Sequence, residues 1–290
     1  MIYLLGSIVL TSWLTLSFKL VERFRLNSFQ AIVFNYIFCV LTGSIVNGHA
    51  PAYAASLRQD WFPWACIMGI IFITLFNIIA YTAQRIGVAV TSVANKLSLV
   101  IPFIFSIYLY NERATWLKIV GIGLALLAVV LTCLPAKHGN KIKTSRWLYA
   151  LPVLLFAGSG LLDTMIKYVE HKFLQAGNKD EYLVTAFSMA ATLGIAVLIM
   201  QLASGKQKFS GKGVLAGAAI GIPNYFSIWC LMEVLKKYVN NSSAIIPINN
   251  MGIVLFSSLM AWLLFKEKLS FINWIGIMLA LGAIALIAYG

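Results

Sequence analysis

The sequence predicts an all-α membrane protein with ten transmembrane helices, arranged as two inverted repeats of five helices. Of its 290 residues, 61% are hydrophobic and only 11% are charged, whereas soluble domains carry roughly 25% charged residues. Many apolar segments reach the ~20 residues that a helix needs to cross a bilayer. In addition, the sequence aligns with itself at a fixed spacing, which indicates an internal repeat.

Short charged or turn-rich gaps separate the apolar segments. No gap is long enough to hold a soluble domain, and no basic region precedes the first segment, which we therefore expect to be retained as a helix rather than removed as a signal peptide. The ten predicted spans are 2–20, 29–46, 62–83, 87–109, 116–134, 147–168, 183–203, 213–235, 242–265 and 271–289.

The repeat is clearest at the end of each half. A shift of 155 residues places Glu112 over Glu267, Gly121 over Gly276 and Asn95 over Asn250. We therefore predict two five-helix repeats joined by a basic linker. Their bounds are 1–135 for the first repeat, 136–146 for the linker and 147–290 for the second repeat.

An odd number of spans in each repeat has a geometric consequence. The second copy enters the membrane from the opposite side, so the two copies are inverted. Inverted repeats recur in secondary transporters, whose binding site lies near the midplane between the repeats. They also occur in channels, so the pattern favours transport more strongly than it favours one mode of transport.

Two matched segments carry a family resemblance. In each half a loop with a glutamate, Asn111-Glu112-Arg113 or Lys266-Glu267-Lys268, precedes a fifth helix rich in glycine and alanine. The pattern resembles the EamA branch of the drug/metabolite transporter superfamily over both halves. The resemblance implies a bacterial inner-membrane exporter of metabolites, amino acids or drugs, driven by an ion gradient or by exchange. It also implies cytoplasmic termini.

The net charge of +13 points to the lipid bilayer rather than to nucleic acid. Nearly all Lys and Arg residues lie in or beside the gaps between apolar segments, and Lys96 is the exception. Basic loops are the usual mark of membrane topology. More of them lie on the side of the first loop, so the positive-inside rule places both termini outside, against the resemblance.

The chain offers little for catalysis or cofactor binding. Its three histidines fall in separate loops, and its nine acids form no DxxD or similar pair. The four cysteines all lie in apolar segments without a CxxC, which excludes a zinc site by spacing. We predict a protein without enzymatic activity, cofactor or metal that acts on a small-molecule substrate. A channel or a structural membrane subunit is the alternative, and a polytopic membrane enzyme is a weaker one.

Lys96 is the most informative charged residue. It lies near the middle of the fourth span, roughly 13–15 Å deep at 1.5 Å per residue. A charge at this depth is costly and is a functional hypothesis by default. Lys96 could bind a carboxylate or phosphate of the substrate. Alternatively, it extends into a hydrated cavity or satisfies backbone carbonyls near Pro102.

Asp163 is the acid that lies deepest within a span, the sixth. It is a candidate coupling residue that carries a proton, or a partner for Lys96. Counting residues along the two helices separates these side chains by roughly 9 Å in depth, which only an extended lysine could close. The competing interpretation is a charge near the far membrane interface.

Polar side chains within the spans are the other candidates for a substrate site. Asn77 and Tyr81 share one face of the third helix because they are four residues apart. Interhelical hydrogen bonding competes with substrate binding as the role of each amide. The predicted substrate-binding residues are Lys96, Asn95, Asn250, Asn77, Tyr81, Asn224, Trp229 and Asn35, with Asp163 as the coupling candidate.

The glutamates of the matched loops have a structural interpretation. Thr115 and Ser270 stand where N-caps are expected, so we expect Glu112 and Glu267 to stabilise the starts of the helices that follow them. A direct functional role is the alternative.

Proline and glycine predict local backbone features. Pro102, Pro223 and Pro247 are expected to interrupt helices 4, 8 and 9. Glycines spaced four residues apart in the eighth span let a neighbouring helix approach closely. This favours packing inside the bundle, with dimerisation as the alternative, so both a monomer and a homodimer stay open. The glycines are Gly213, Gly217 and Gly221.

Overall fold

The computed structural model describes residues 2–48, 56–110, 115–133, 147–174, 178–237, 242–267 and 269–289. Regular structure in these ranges is helical. The helices are α1 (Ile2–Arg23), α2 (Ser28–Asn47), α3 (Phe62–Arg85), α4 (Val88–Leu97), α5 (Val100–Tyr110), α6 (Trp116–Cys133), α7 (Trp147–Phe173), α8 (Lys179–Ala203), α9 (Gly211–Lys237), α10 (Ser242–Phe265) and α11 (Phe271–Tyr289), with a 3₁₀ turn at Ser56–Arg58.

Eight helical stretches are long and apolar enough to cross a membrane. One of them, Val88–Phe105, comprises α4 and the first part of α5. Two more apolar helices, α6 and α11, are shorter than this criterion requires. Each predicted span therefore coincides with helical structure, and the all-α class is confirmed for the described ranges. Ten crossings and the inverted arrangement stay predictions.

The chain forms two compact units. The large unit comprises Met1–Lys19, Ile78–Thr164 and Ser227–Gly290, and the small unit comprises Leu20–Asn77 and Met165–Phe226. Four helices, α1, α3, α7 and α9, contribute residues to both units. Each unit draws on both predicted repeats, so the compact units and the repeats divide the chain differently.

The core of the large unit is built from α4, α6, α10 and α11. Small side chains dominate the contact between α6 and α11, where Ala125, Ala128, Ala280 and Ala283 are fully buried. Larger apolar residues such as Leu97 close the core from α4. Small residues allow helix backbones to approach closely, which is how helices gain packing contacts in an apolar solvent.

The α6–α11 contact is reciprocal in sequence. A Cβ on Gly121 would lie 2.8 Å from Ile287 Cγ1, and a Cβ on Gly276 would lie 2.7 Å from Thr132 Cγ2. Gly121 and Gly276 are 155 residues apart, and so are Thr132 and Ile287. The fifth helix of each predicted repeat therefore presents equivalent positions to the other helix, as in an isologous interface.

In the small unit, α2 packs against α8 and α9. The three spaced glycines of α9 lie directly against α2, where a Cβ on Gly217 would meet Phe34 and one on Gly221 would meet the Asn35 carbonyl. The expected packing inside the chain is thus confirmed for these glycines. Aromatic rings fill the rest of the contact, with Tyr36 beside Phe187 at a centroid distance of 6.0 Å.

The prolines have different effects on the helices. Between α4 and α5 the helix breaks at 98–99, because Pro102 has no N–H to donate to the Ser98 carbonyl, which accepts from the Ile101 N–H at 2.9 Å. The predicted interruption of the helix was wrong for Pro223, which lies inside the continuous helix α9. It was also wrong for Pro247, since α10 runs unbroken through that position. Neighbouring helices can satisfy the backbone groups that such prolines free.

Gly276→Ala is expected to lower the stability of the protein, because the new Cβ would meet the Thr132 side chain at 2.7 Å and its backbone nitrogen at 2.8 Å. Overpacking of this kind costs about 1–3 kcal/mol. Gly282→Ala, on the same helix with open space around its Cβ, is the matched control and should be neutral or stabilising. Thermal unfolding in detergent measures both variants, and equal midpoints would contradict the proposed close contact.

Candidate functional site

The helix break in the large unit places polar groups inside an apolar span. Lys96 lies in the last turn of α4, where the negative end of the helix dipole favours a cation. Ser98 follows in the break, and its hydroxyl donates to the Asn95 carbonyl at 2.5 Å. Lys96 and Asn95 are both half-buried. The interruption thus places a cation and a hydroxyl next to each other within an apolar span.

Asp163 of α7 joins this group. Its Oδ2 atom lies 3.5 Å from the Ser98 hydroxyl, and its carboxylate and the Lys96 ammonium attract each other through space. Among the residues that the structure describes, the two charges make no direct ion pair, which agrees with the depth offset expected from the sequence. A group that fits between them could therefore contact both charges.

Asp163 has an exposed side chain, although the residues that precede it on the same face of α7 are buried. Ser159 and Leu155, four and eight residues earlier, are 4% and 0% exposed and share its face of the helix. Leu161, on the opposite face, is 56% exposed. Asp163 therefore lies at the end of a buried stretch of its helix face, where its side chain is still accessible.

Further polar groups lie on α4 itself and on α10, which packs against α4. Asn250 is half-buried, and its neighbour Asn249 is 3% exposed. The Ser92 hydroxyl and Asn249 Oδ1 are buried and have no hydrogen-bond partner within the described ranges. Sequence reasoning missed Asn249 and Ser98. The position of Ser98 four residues before Pro102 was the available signal.

Other predicted site residues make local contacts. The Asn77 amide donates to the carbonyl of Ile73 in its own helix at 2.7 Å. Tyr81 is exposed and lies under the Arg85 guanidinium at 5.5 Å. In the large unit, Trp229 packs edge-on against Tyr3, with 5.6 Å between the ring centroids. None of these contacts tests a role in substrate binding.

Asn35 and Asn224 meet in the small unit. The Asn224 amide donates to Asn35 Oδ1 at 3.1 Å, and both residues are buried. The Cys39 thiol donates to the Gly221 carbonyl at 3.3 Å beside them. This geometry matches the competing interpretation, in which the amides link helices by hydrogen bonding, although the Asn35 amide nitrogen has no partner in the described part of the chain.

Glu267 corrects a sequence prediction. Instead of the start of α11, its carboxylate accepts from the N–H groups of Val88 at 2.9 Å and Ala89 at 3.5 Å, at the start of α4. Gly87, with φ +135°, lets the carboxylate come close, since a Cβ there would lie 3.0 Å from Oε2. The partner lies far away in sequence, which is why local capping rules did not find it.

The N-caps predicted for α6 and α11 are confirmed. The Thr115 hydroxyl accepts from the Lys118 N–H at 3.4 Å. Ser270 accepts from the Asn273 N–H at 3.2 Å, and Asn273 Oδ1 accepts in return from the Ser270 N–H at 2.8 Å, which is a capping box. Glu112 lies outside the described residues.

The end of α3, directly before α4, is tied to α1. The Lys19 ammonium donates to the Gln84 carbonyl at 2.7 Å, and the Gln84 amide donates to the Phe18 carbonyl at 2.9 Å. Lys19 also attracts the Glu267 carboxylate. Glu267 lies in the loop between α10 and α11, where burial raises its pKa above the ordinary value of 4.5, against the opposing effects of the Val88 and Ala89 N–H groups and Lys19.

Comparisons with known proteins agree with this fold. The chain is 24% identical to an uncharacterized protein of Haemophilus influenzae over 266 residues. This alignment covers 90% of this chain and 88% of the relative. A solved structure described as the crystal structure of a protein matches with a TM-score of 0.63 and 19% identity, over 98% of this chain and 94% of that chain. At this identity the similarity establishes the fold alone.

The helices and the comparisons together define a multi-pass membrane protein of a transporter class. Residues 172–289 match the model of the EamA-like transporter family, which is part of the drug/metabolite transporter superfamily. The resemblance inferred from the two glutamate loops is thereby confirmed.

Two substitutions of Glu267 are expected to distinguish the effect of its hydrogen bonds to α4 from the effect of its charge. Glu267→Ala removes the acceptor for two N–H groups, and loss of a cap costs about 0.5–2 kcal/mol. Glu267→Gln keeps an acceptor without a charge. Because the pKa is raised in the folded state, the carboxyl stabilises the fold fully below pH 4.5 and loses this contribution as the pH rises.

Thermal unfolding from pH 4.5 to 7.5 therefore tests Glu267. Relative to Glu267→Gln, the parent protein should become less stable as the pH rises. Ser270→Ala, which removes the cap of α11 and no titrating group, should lower the midpoint by the same amount at every pH. A constant difference between the parent and Glu267→Gln would refute the raised pKa.

Proposed function

We propose that the protein is a secondary transporter, an exporter or exchanger, that moves a small polar metabolite across the bacterial inner (plasma) membrane by alternating access. The observation that carries this proposal is the placement of two opposite charges, Lys96 and Asp163, at the helix break of the large unit, where Asp163 Oδ2 lies 3.5 Å from the Ser98 hydroxyl. The match of residues 172–289 to the EamA-like transporter family supports transport in general.

The position of the two charges favours a functional role. Both lie within apolar stretches able to cross the membrane, Val88–Phe105 and Ala150–Val169. Charged groups within spans are costly, face the protein interior or a water-filled cavity, and mark substrate and ion pathways. The accessibility of the Asp163 side chain, next to the buried Ser159 and Leu155 on the same face, is compatible with such a pathway.

In this proposal Lys96 binds an anionic group of the substrate. An ammonium carries three N–H donors and no acceptor, and the neighbouring carboxylate attracts Lys96 without pairing with it directly. A carboxylate or phosphate could thus gain a charge-assisted hydrogen bond from Lys96. The Ser98 hydroxyl and the amides Asn95 and Asn250 are candidates for the polar remainder of the substrate.

Asp163 is the proposed coupling group. When it is ionised, its charge compensates Lys96 and opposes a second anion nearby. When it takes up a proton, this competition ends and Lys96 becomes available to the substrate. Proton binding and anion binding then favour each other by the same free energy, because such coupling is reciprocal.

The near-symmetry of α6 and α11 supports alternating access. Gly121 and Gly276 make equivalent contacts with Ile287 and Thr132. Two packings of similar energy are what a repeat of this kind supplies, and transporters built from inverted repeats exchange between them. A channel with the same charges is the alternative, and it would conduct without saturable exchange.

Lys96→Ala is expected to abolish stabilisation of the purified protein by anionic metabolites, because the ammonium that binds them is gone. A thermal-shift screen of carboxylates and phosphates, followed by exchange in proteoliposomes with the best hit, measures this. Lys118→Gln removes a half-buried lysine that lies over the Phe103 ring and should behave like the parent. Equal shifts for the parent and Lys96→Ala would refute the role of Lys96.

Asp163→Asn is expected to retain exchange but to lose its dependence on a pH gradient, since an amide carries no titrating proton. Proteoliposomes that contain the hit from the screen and a pH-sensitive dye measure both properties. Gradient-driven uptake by Asp163→Asn would contradict proton coupling at this residue. Flux that fails to saturate in the parent would favour the channel.

A further inference from the structure

Two loops of the small unit carry a concentration of positive charge that the proposed transport site does not use. The first follows α1 and the second precedes α9. Their basic side chains are exposed. We call this set the basic surface: Arg23, Arg25, Lys206, Lys208 and Lys212.

Contacts of α2 with the second loop make the two loops neighbours. Gln30, fully buried in the first turns of α2, donates from its amide to the Ser210 carbonyl at 3.1 Å. Phe34 packs edge-on against Phe209, with 6.2 Å between the ring centroids. Gly213 also lies against Gln30, since a Cβ there would be 3.0 Å from Gln30 Cδ. The five cations therefore belong to one continuous surface.

The helices that begin here add to the positive potential. Both α2 and α9 start beside these loops, and neither has an acidic residue in its first turn. The first turn of α9 instead contains Lys212, although the positive end of a helix dipole disfavours a cation. Glu22, exposed at the end of α1, is the acid nearest in sequence. An anion bound to this surface would relieve the repulsion among its cations.

Exposed aromatic side chains accompany the charges. Phe24 is 69% exposed between Arg23 and Arg25, and Phe209 is 60% exposed next to Lys208. These phenylalanines and the cations beside them lie at or just beyond the ends of apolar helices able to cross the membrane. Phenylalanine together with lysine and arginine at this level is typical of contact with the lipid headgroup region.

We propose that the basic surface binds the phosphate groups of anionic phospholipids in the adjacent leaflet. Clusters of roughly four to eight Lys and Arg residues directly outside a span are attracted to anionic lipids. The exposed phenylalanines favour a lipid over a free phosphate, because their rings enter the acyl boundary while the cations contact the headgroup. This surface lies outside the transport site, so the inference stands independently of the proposed function.

Native mass spectrometry of the detergent-purified protein tests the proposal, with phosphatidylglycerol or phosphatidylcholine as the added lipid. The parent should retain phosphatidylglycerol in preference. Lys206→Gln/Lys208→Gln and Arg23→Gln/Arg25→Gln should each weaken this binding at least about tenfold, since each pair loses two attractive charges. Arg58→Gln/Lys172→Gln, which removes two exposed cations elsewhere in the small unit, should leave it unchanged.

Three results would overturn the proposal. An equal loss in the control variant would assign the binding to net charge, and equal retention of both lipids would exclude headgroup recognition. Displacement of phosphatidylglycerol by millimolar inorganic phosphate would assign the surface to a soluble anion. Unfolding midpoints of all variants establish that they are folded, and the two variants of the basic surface provide independent tests if one fails to fold.

Discussion

Polar groups inside a hydrocarbon layer have no water to bind, so they must find partners within the chain or line a cavity. This constraint explains much of the structure. Hydroxyl groups such as Thr82 and Thr91 donate back to the carbonyl four residues earlier. Amides such as Gln84 and Asn224 reach another helix instead. Packing of small residues then holds the satisfied helices together.

The connection between α10 and α11 satisfies two distant helix ends at once. Glu267 accepts from the free N–H groups at the start of α4. A few residues later, the Asn273 amide donates to the carbonyls of Leu131 and Thr132 at the end of α6, at 3.2 and 3.0 Å. One short segment of the second half thus stabilises two helices of the first half.

Charge serves two purposes in this protein, and its position distinguishes them. Lys96 and Asp163 lie inside spans, where the cost of a charge favours a role in binding and coupling. The basic surface lies at the ends of spans, where the same charges are readily solvated and meet lipid headgroups. The proposed transport site needs access for a substrate, whereas the basic surface needs only a leaflet beside it.

The sequence by itself determined the helical class, the positions of the apolar helices, the N-caps of α6 and α11, and the break before Pro102. All of these depend on local hydropathy, hydrogen bonding within a few residues, or the missing N–H of proline. Only the tertiary structure decided that Glu267 caps α4, that Asn35 pairs with Asn224, and that Pro223 leaves its helix intact. These outcomes depend on which helices face each other, and a repeating apolar pattern does not encode the partner of each face.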